Sequence, residues 1–352
     1  MATGCGGAGD SASAVSCSVS RLDALVALEA QMGTALSQAA SEVPFSFALE
    51  RQDGRRFTFN RGGATLQTAY ESKSASKLVT AIIILWVVEK NNLALSERPQ
   101  DRIADWPTGG GNPLFAMTLA QLLSFTSGLT LVPPCLNDGS ADFETCVVDI
   151  ASVNEGNGST PGQQFFYSEA HLQVAGLMAV RARGAANWQA LVADFKAQTG
   201  LFPSSTYDSP SLSNPALAGG MHFTGEDYMG FLRALKNGSL LNAASMGELL
   251  ADRTAAIPIV FSPIFSGIGG GAGLGEDWHY GFGLWHECRS PTFNCAPATR
   301  VSSPGALGTY PFWDRSKGYT GIVARAGAFG TLTKGIEIER LVRAVAEAWA
   351  DC

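Results

Sequence analysis

Ser74-Ala75-Ser76-Lys77, continued by Leu78-Val79-Thr80-Ala81-Ile82-Ile83-Ile84-Leu85-Trp86-Val87-Val88, is the stretch that decides how this chain is read. The apolar run predicts a buried helix, with Ser74 and Lys77 on its first turn. Residues three apart on a helix share a face. A serine hydroxyl and a lysine amine would therefore meet at the positive end of a helix dipole, an arrangement that activates a weak hydroxyl nucleophile without histidine. A Ser-x-x-Lys spacing alone also fits a helix-capping serine beside a solvent-facing lysine. Position favours the first reading: the pair opens the most apolar helix of the chain, directly after the polar Glu71–Lys73.

Elements on either side follow from periodicity. Residues 21–40 place Leu22, Leu25, Val26, Leu28, Met32 and Leu36 at helical spacing. Val43–Arg51 and Arg55–Asn60 alternate around Asp53-Gly54, a hairpin signal. From Met117 to about Leu250 the pattern is helical, broken by Gly/Pro/Ser loops, and Ile257–Gly275 reads as a long glycine-rich loop. Strands are predicted at Tyr280–Trp285, Thr299–Ser303, Gly308–Trp313 and Gly318–Arg325, and one closing helix at Ile336–Trp349. This order predicts one α/β unit split by an inserted helical domain. The expected boundaries are a lead-in at 1–19, an α/β domain at 20–75 and 270–352, and a helical domain at 76–269.

Composition narrows the function class. The 352 residues are 46% hydrophobic and only 16% charged, enough apolar side chain for a large core. A net charge of −7 without any Lys/Arg block argues against a nucleic-acid partner. Leu78–Val88 is too short to span a bilayer, so no transmembrane segment is expected. The seven cysteines are Cys5, Cys17, Cys135, Cys146, Cys288, Cys295 and Cys352. With Cys5 set aside, the expected disulfides are Cys17–Cys352, Cys135–Cys146 and Cys288–Cys295; seven free thiols in a cytosolic protein is the alternative. The opening Met1-Ala2-Thr3-Gly4-Cys5-Gly6-Gly7 is similar to the tail of a bacterial lipoprotein signal, making Cys5 a candidate lipid anchor; the alternative is a flexible small-residue terminus. These features point to an exported protein of bacterial type, periplasmic, lipoprotein-anchored or extracellular. No metal or other cofactor is expected: Cys-x-x-Cys is absent, and His171, His222, His279 and His286 lack ligand spacing.

Tyr167-Ser168-Glu169 follows a turn at Pro161-Gly162 and precedes an apolar helix. A tyrosine fixed there can act as a base when cations surround it, since its ordinary pKa is about 10; a packed tyrosine with a satisfied hydroxyl is the alternative. In order along the chain, four further stretches join the set. Leu122-Leu123-Ser124-Phe125-Thr126-Ser127-Gly128-Leu129 resembles LLxHTSGL, with Phe125 in place of histidine. Pro161-Gly162 through Glu169 resembles PGxxFxYSN, with Glu169 in place of asparagine. Leu217–Asp227 resembles GGLxSTAxD, and Tyr280–Trp285 resembles YGxGW. Together they resemble the serine β-lactamase and penicillin-binding protein superfamily, in the branch of class C enzymes, D-amino peptidases and family VIII carboxylesterases. The resemblance runs from about Leu22 to Trp349. It implies a β-lactamase/transpeptidase-like fold, an antiparallel sheet flanked by the N- and C-terminal helices with the all-helical domain inserted.

The family's cationic strand motif, Lys-Thr-Gly or His-x-Gly, has two candidate positions. Arg325-Ala326-Gly327 imitates its spelling but leaves one helix after it. Ser303-Pro304-Gly305-Ala306 leaves the two further strands that the fold needs, and is preferred. Ser303 then stands where a cation is usual. The resemblance implies acyl transfer: Ser74 attacks a carbonyl, Lys77 and Tyr167 handle the proton, and the N–H groups of Ser74 and Ala306 hold the oxyanion. Glu169 is expected to hold Lys77 by a charged hydrogen bond, or else to turn outward. The substrate implied is a small ester, amide or peptide-like molecule. A carboxylesterase-like hydrolase is the first reading; a β-lactamase or D-amino-acid peptidase anchored elsewhere, such as at Arg325, is the second; a non-catalytic scaffold is the third.

Overall fold

The computed structural model describes residues 21–107, 112–156 and 159–352; the expected lead-in, Cys5, Cys17 and Gly109-Gly110-Gly111 lie outside the described residues. The first helix, Arg21–Ser37 (α1), buries Leu25, Leu28, Met32 and Leu36, three or four residues apart, while Leu22 and Val26 face solvent. Phe45–Glu50 (β1) and Arg56–Arg61 (β2) form the expected hairpin, with Gly54 at φ 85° in its turn. Ala69–Glu71 (β3) leads through a 3₁₀ turn, Lys73–Ala75, into Ser76–Glu89 (α2).

The helical segment continues with Leu119–Leu123 (α3), Phe143–Asn154 (α4), Phe165–Phe166 (β4), Ala170–Arg183 (α5) and Trp188–Thr199 (α6). Thr206–Tyr207 (β5), Met221–Thr224 (β6), Gly225–Lys236 (α7), Ala243–Leu249 (α8), Ile259–Phe261 (β7) and Pro263–Ser266 (α9) follow. The last part comprises His279–Tyr280 (β8), Trp285–His286 (β9), Arg300–Ser302 (β10), Tyr310–Asp314 (β11), Tyr319–Ala324 (β12), Leu332–Arg340 (α10) and Arg343–Asp351 (α11).

Every residue of α2 from Ser76 to Val87 is buried. A helix apolar on all sides needs neighbours on all sides, and α5, itself buried from Ala170 to Val180, lies against it, backed by α3, α4 and α6. Among the described residues the main sheet is antiparallel in the order β2-β1-β12-β11-β10-β9-β8. All six residues of β1 and all six of β12 are buried, which requires cover on both faces. α7 packs on β1, β11 and β12; α10 packs on β11 and β12, and α11 joins α10 to α1. The register sets Ser46 opposite Ala324 and Glu50 opposite Thr320, so the first strand pairs with the last.

A charged cluster lies between this sheet and α10–α11. The Glu339 carboxylate accepts from Arg300 Nη1 at 2.9 Å and from Arg343 Nε at 2.8 Å, and Arg300 Nη2 also donates to Asp314 Oδ2 at 3.0 Å. Glu339 is fully enclosed.

Several sequence expectations need correction. Tyr280–Trp285 is a tight hairpin, β8 and β9 joined through Gly281-Phe282-Gly283-Leu284, because Gly283 takes φ 69°. Ile336–Trp349 is two helices; the chain turns at Leu341-Val342, which leaves Leu341 exposed and Val342 buried. The expected loop Ile257–Gly275 contains β7 and α9, and β7 runs parallel to β4. A small sheet, β3-β6-β5, was not anticipated. Cys135–Cys146 and Cys288–Cys295 are disulfides, with S–S distances of 2.03 and 2.11 Å. The third expected pairing, Cys17–Cys352, involves a residue outside the described ones. Among the described residues no helix is long and apolar enough to cross a membrane; with the two disulfides, this is compatible with export.

Candidate active site

Ser74 sits in the 3₁₀ turn ahead of α2, one step before the α-helical turn expected for it. Ser74 and Lys77, three apart across the junction of the turn and α2, still share a face. Lys77 Nζ donates to Ser74 Oγ at 2.9 Å and to the Ala218 carbonyl at 2.9 Å. The turn is held in place by its surroundings: Tyr228 donates its hydroxyl to the Ala75 carbonyl at 2.7 Å, and Ser76 Oγ donates to the Lys73 carbonyl at 3.0 Å. Lys73 takes φ 44°, the left-handed region that a side chain occupies only under constraint.

Lys77 is enclosed, and burial lowers its pKa from 10.5 to about 8 while the Glu169 carboxylate pulls it up. Desolvation is the larger effect, so a neutral amine is accessible near neutral pH.

Tyr167 approaches from the β4–α5 junction. Its N–H donates to the Phe261 carbonyl at 3.2 Å, which ties the residue to β7. The ring stacks on Trp285 at 5.3 Å, and Lys77 Nζ lies 4.7 Å from its centroid. Burial pushes the phenol well above its ordinary value, and hydrogen bonding with Ser74 and Trp285 offsets part of that shift. The hydroxyl therefore stays protonated while Lys77 loses its proton first.

Trp285 positions Tyr167, a role not read from the sequence although the YGxGW-like stretch contained the residue. Phe125, at φ 60°, stacks on His171 at 4.7 Å beneath the tyrosine. His171 accepts from Ser127 Oγ at 2.8 Å and donates Nε2–H to the Phe166 carbonyl at 2.9 Å. Burial holds it neutral, with its pKa lowered to about 3. It is a packing residue outside the cleft.

The loop after β10 closes on the same turn. Ser303 Oγ is shared between the carbonyls of Ser74 and Gly283, 3.2 Å from each. It is a tether and presents no charge to a substrate. Among the described residues the Ala306 N–H has no protein acceptor, while its carbonyl accepts from Gly330 N at 3.0 Å. Gly305 permits the close approach: a Cβ there would stand 2.3 Å from the Ser72 carbonyl oxygen. Gly305→Ala is therefore expected to push the loop off the Ser74 turn and lower kcat/KM about 100-fold, the scale of a 1 Å misplacement. Steady-state kinetics on any turned-over ester checks this, with a thermal melt to follow stability.

Two expected roles are not formed. Glu169 does not hydrogen-bond Lys77, whose donors go to Ser74 and Ala218. Its Oε1 instead faces Gly219, 3.7 Å from where a Cβ would be, and its effect on Lys77 is through space. Arg325 cannot anchor a substrate carboxylate: its side chain is buried, paired with Glu42 and directed at the Leu307 carbonyl. Of the other histidines, His279 contacts Asp252 at 2.6 Å and His222 pairs with Asp208. Among the described residues no group of three His, Cys, Asp or Glu side chains could hold a metal ion.

Comparisons with known proteins agree with this geometry. The β-lactamase family model matches residues 47–338, so the chain belongs to the β-lactamase family, whose members are serine hydrolases. Curated proteins provide no match. Among solved structures, a provisionally assigned β-lactamase from Bacteroides dorei is 22% identical with a TM-score of 0.72, the match covering 91% of this chain and 99% of that one. EstCE1, a hydrolase with promiscuous acyltransferase activity, is 14% identical with a TM-score of 0.69, covering 91% and 98%. The D-amino acid amidase from Ochrobactrum anthropi is 18% identical with a TM-score of 0.69, covering 92% and 98%. At these identities the likeness establishes the fold.

Proposed function

We propose that the protein is an exported serine hydrolase that cleaves small esters through an acyl-enzyme at Ser74. The observation that carries this is the 2.9 Å contact between Ser74 Oγ and the Lys77 amine, whose pKa burial lowers to about 8. Neutral Lys77 takes the Ser74 proton as Oγ attacks the substrate carbonyl. The N–H groups of Ser74 and Ala306 receive the developing oxyanion. The proton then reaches the leaving oxygen through the Tyr167 hydroxyl. Water attacks the ester of Ser74 by the same proton route in reverse and frees the acid. An ester reading is preferred because Ser303 is a tether and Arg325 is enclosed, which leaves neither as the cation that a carboxylate-bearing β-lactam or D-peptide would meet.

Covalent labelling tests the proposal. A fluorophosphonate should mark Ser74, located by peptide mass spectrometry, and short-chain aryl esters should be turned over ahead of nitrocefin or D-amino acid anilides. An unlabelled Ser74 would favour a scaffold without catalysis.

The pH profile tests the base. Activity needs neutral Lys77, so kcat/KM should rise with pH through about 8. Glu169 stabilises the protonated lysine, so Glu169→Gln should move this limb to lower pH. A limb that stays in place, or moves up, would assign the base elsewhere.

A further inference from the structure

We infer that the pocket beside Ser74 selects acyl groups carrying an organic cation, with Glu169 as the charge that reads them and Phe329 as the apolar wall. This rests on the acyl-transfer reading and adds the class of substrate. The cavity measures about 360 Å³ and is lined by Lys73, Glu169, Ser209, Gly219, Gly220 and Phe329. Lys73 immediately precedes the nucleophile, and Gly219 follows Ala218, whose carbonyl accepts from Lys77, so the cavity lies against the turn that carries Ser74 without including Ser74, Lys77 or Tyr167 in its lining.

Glu169 is half-buried, and among the described residues its carboxylate forms no hydrogen bond or ion pair. It stands at the N-terminus of α5 yet makes no capping hydrogen bond. A half-buried carboxylate has lost part of its hydration, and without a hydrogen bond it recovers only through-space attraction from the protein. The other charges here are already matched. Lys73 Nζ pairs with Glu71 at 2.5 Å, and His222 lies between Asp208 and Glu71. Lys77 attracts Glu169 through space when protonated, but its neutral form is the reactive one, and in that form it leaves the carboxylate unbalanced.

Phe329 is the independent observation. Phe329 is 56% exposed although large and apolar, and it lines the same cavity. A fixed backbone supports it: a Cβ on Gly269 would stand 2.2 Å from the ring, so the glycine-rich loop lies directly against it. A carboxylate and an exposed aromatic face in one cavity are complementary to an ammonium group, which gains from both charge and ring quadrupole. They are a poor host for a carboxylate.

Three p-nitrophenyl esters of matched shape test this: 4-(trimethylammonio)butanoate, its neutral isostere 5,5-dimethylhexanoate, and the monoester of glutarate. At the plateau of the pH profile, kcat/KM should follow cation, neutral, anion, the cation leading the neutral ester by about tenfold. Glu169→Gln should bring that ratio close to one, and Glu169→Lys should invert it. Phe329→Ala should lower the cation's advantage while leaving the order intact. A wild-type ratio near one, or a ratio unmoved in Glu169→Gln, overturns the inference. Binding of the three esters to Ser74→Ala reads the pocket without turnover: tighter binding of the cation is expected, and equal binding of all three overturns the inference by itself. Failure of every ester to react would count against the proposed hydrolase alone, so the two ideas fail separately.

Discussion

Ser74→Ala is expected to reduce ester turnover on the order of 10⁴–10⁶-fold, the range seen when a nucleophile is deleted from a set of groups that act as a unit. The loss should fall on kcat, because the substitution removes one oxygen and leaves the cleft walls in place. Folding should survive. Ser74 Oγ enters the structure through its contacts with Lys77 and Tyr167, and the lysine keeps the Ala218 carbonyl as acceptor. A surface-like stability change of about 0.5 kcal/mol or less is expected. The measurement is single-turnover and steady-state hydrolysis of an aryl ester, beside a thermal melt of the same preparation. Retention of a tenth of wild-type activity would move the nucleophile to another residue.

Glu339→Gln should produce the largest loss of stability. Its carboxylate is enclosed between Arg300 and Arg343, and Arg300 is itself buried with Asp314 as its second anionic partner. Burial pulls the Arg300 pKa down, but the surrounding carboxylates and phenols, Glu339 foremost, outweigh it and hold the pKa well above its ordinary value. A neutral amide cannot compensate two guanidinium groups. Breaking a buried pair by removing one partner costs about 3–5 kcal/mol, because the surviving charge cannot return to water. Urea unfolding at pH 7 should show this as a lower midpoint with an unchanged slope. A change under about 1 kcal/mol would mean that water or Asp314 compensates the arginines. Ester kinetics of the folded fraction should change little, since among the described residues Glu339 bonds only Arg300 and Arg343 and neither arginine contacts Ser74, Lys77 or Tyr167.

Much of the fold was legible because its signals are local. The apolar run after Lys77, the alternation around Asp53-Gly54 and the periodicity of residues 170–183 each specify an element from neighbouring residues. The β8–β9 hairpin was read as a single strand because two-residue strands carry no period. The break at Leu341-Val342 has no glycine or proline to announce it; burial of Val342 decides it, and burial is a tertiary fact. Ser74, Lys77 and Tyr167 were legible as residue types at characteristic spacing. How Ser303, Glu169 and Arg325 are directed was not. A hydroxyl shared by two carbonyls, a carboxylate facing Gly219 and a guanidinium folded onto Glu42 depend on chain segments far apart in sequence.

The pairing of β1 with β12 also bears on how the protein is made. On a ribosome adding roughly 5–20 residues per second, about 270 residues separate Glu50 from its partner strand, so β1 waits roughly 15–55 s for a neighbour. Through that interval the β1–β2 hairpin carries an open edge and an apolar face of Phe45, Phe47 and Leu49, the state in which strands join the wrong partner. Export before folding would spare the chain this wait in the crowded cytosol, and would bring Cys135–Cys146 and Cys288–Cys295 into an oxidising compartment while the sheet closes.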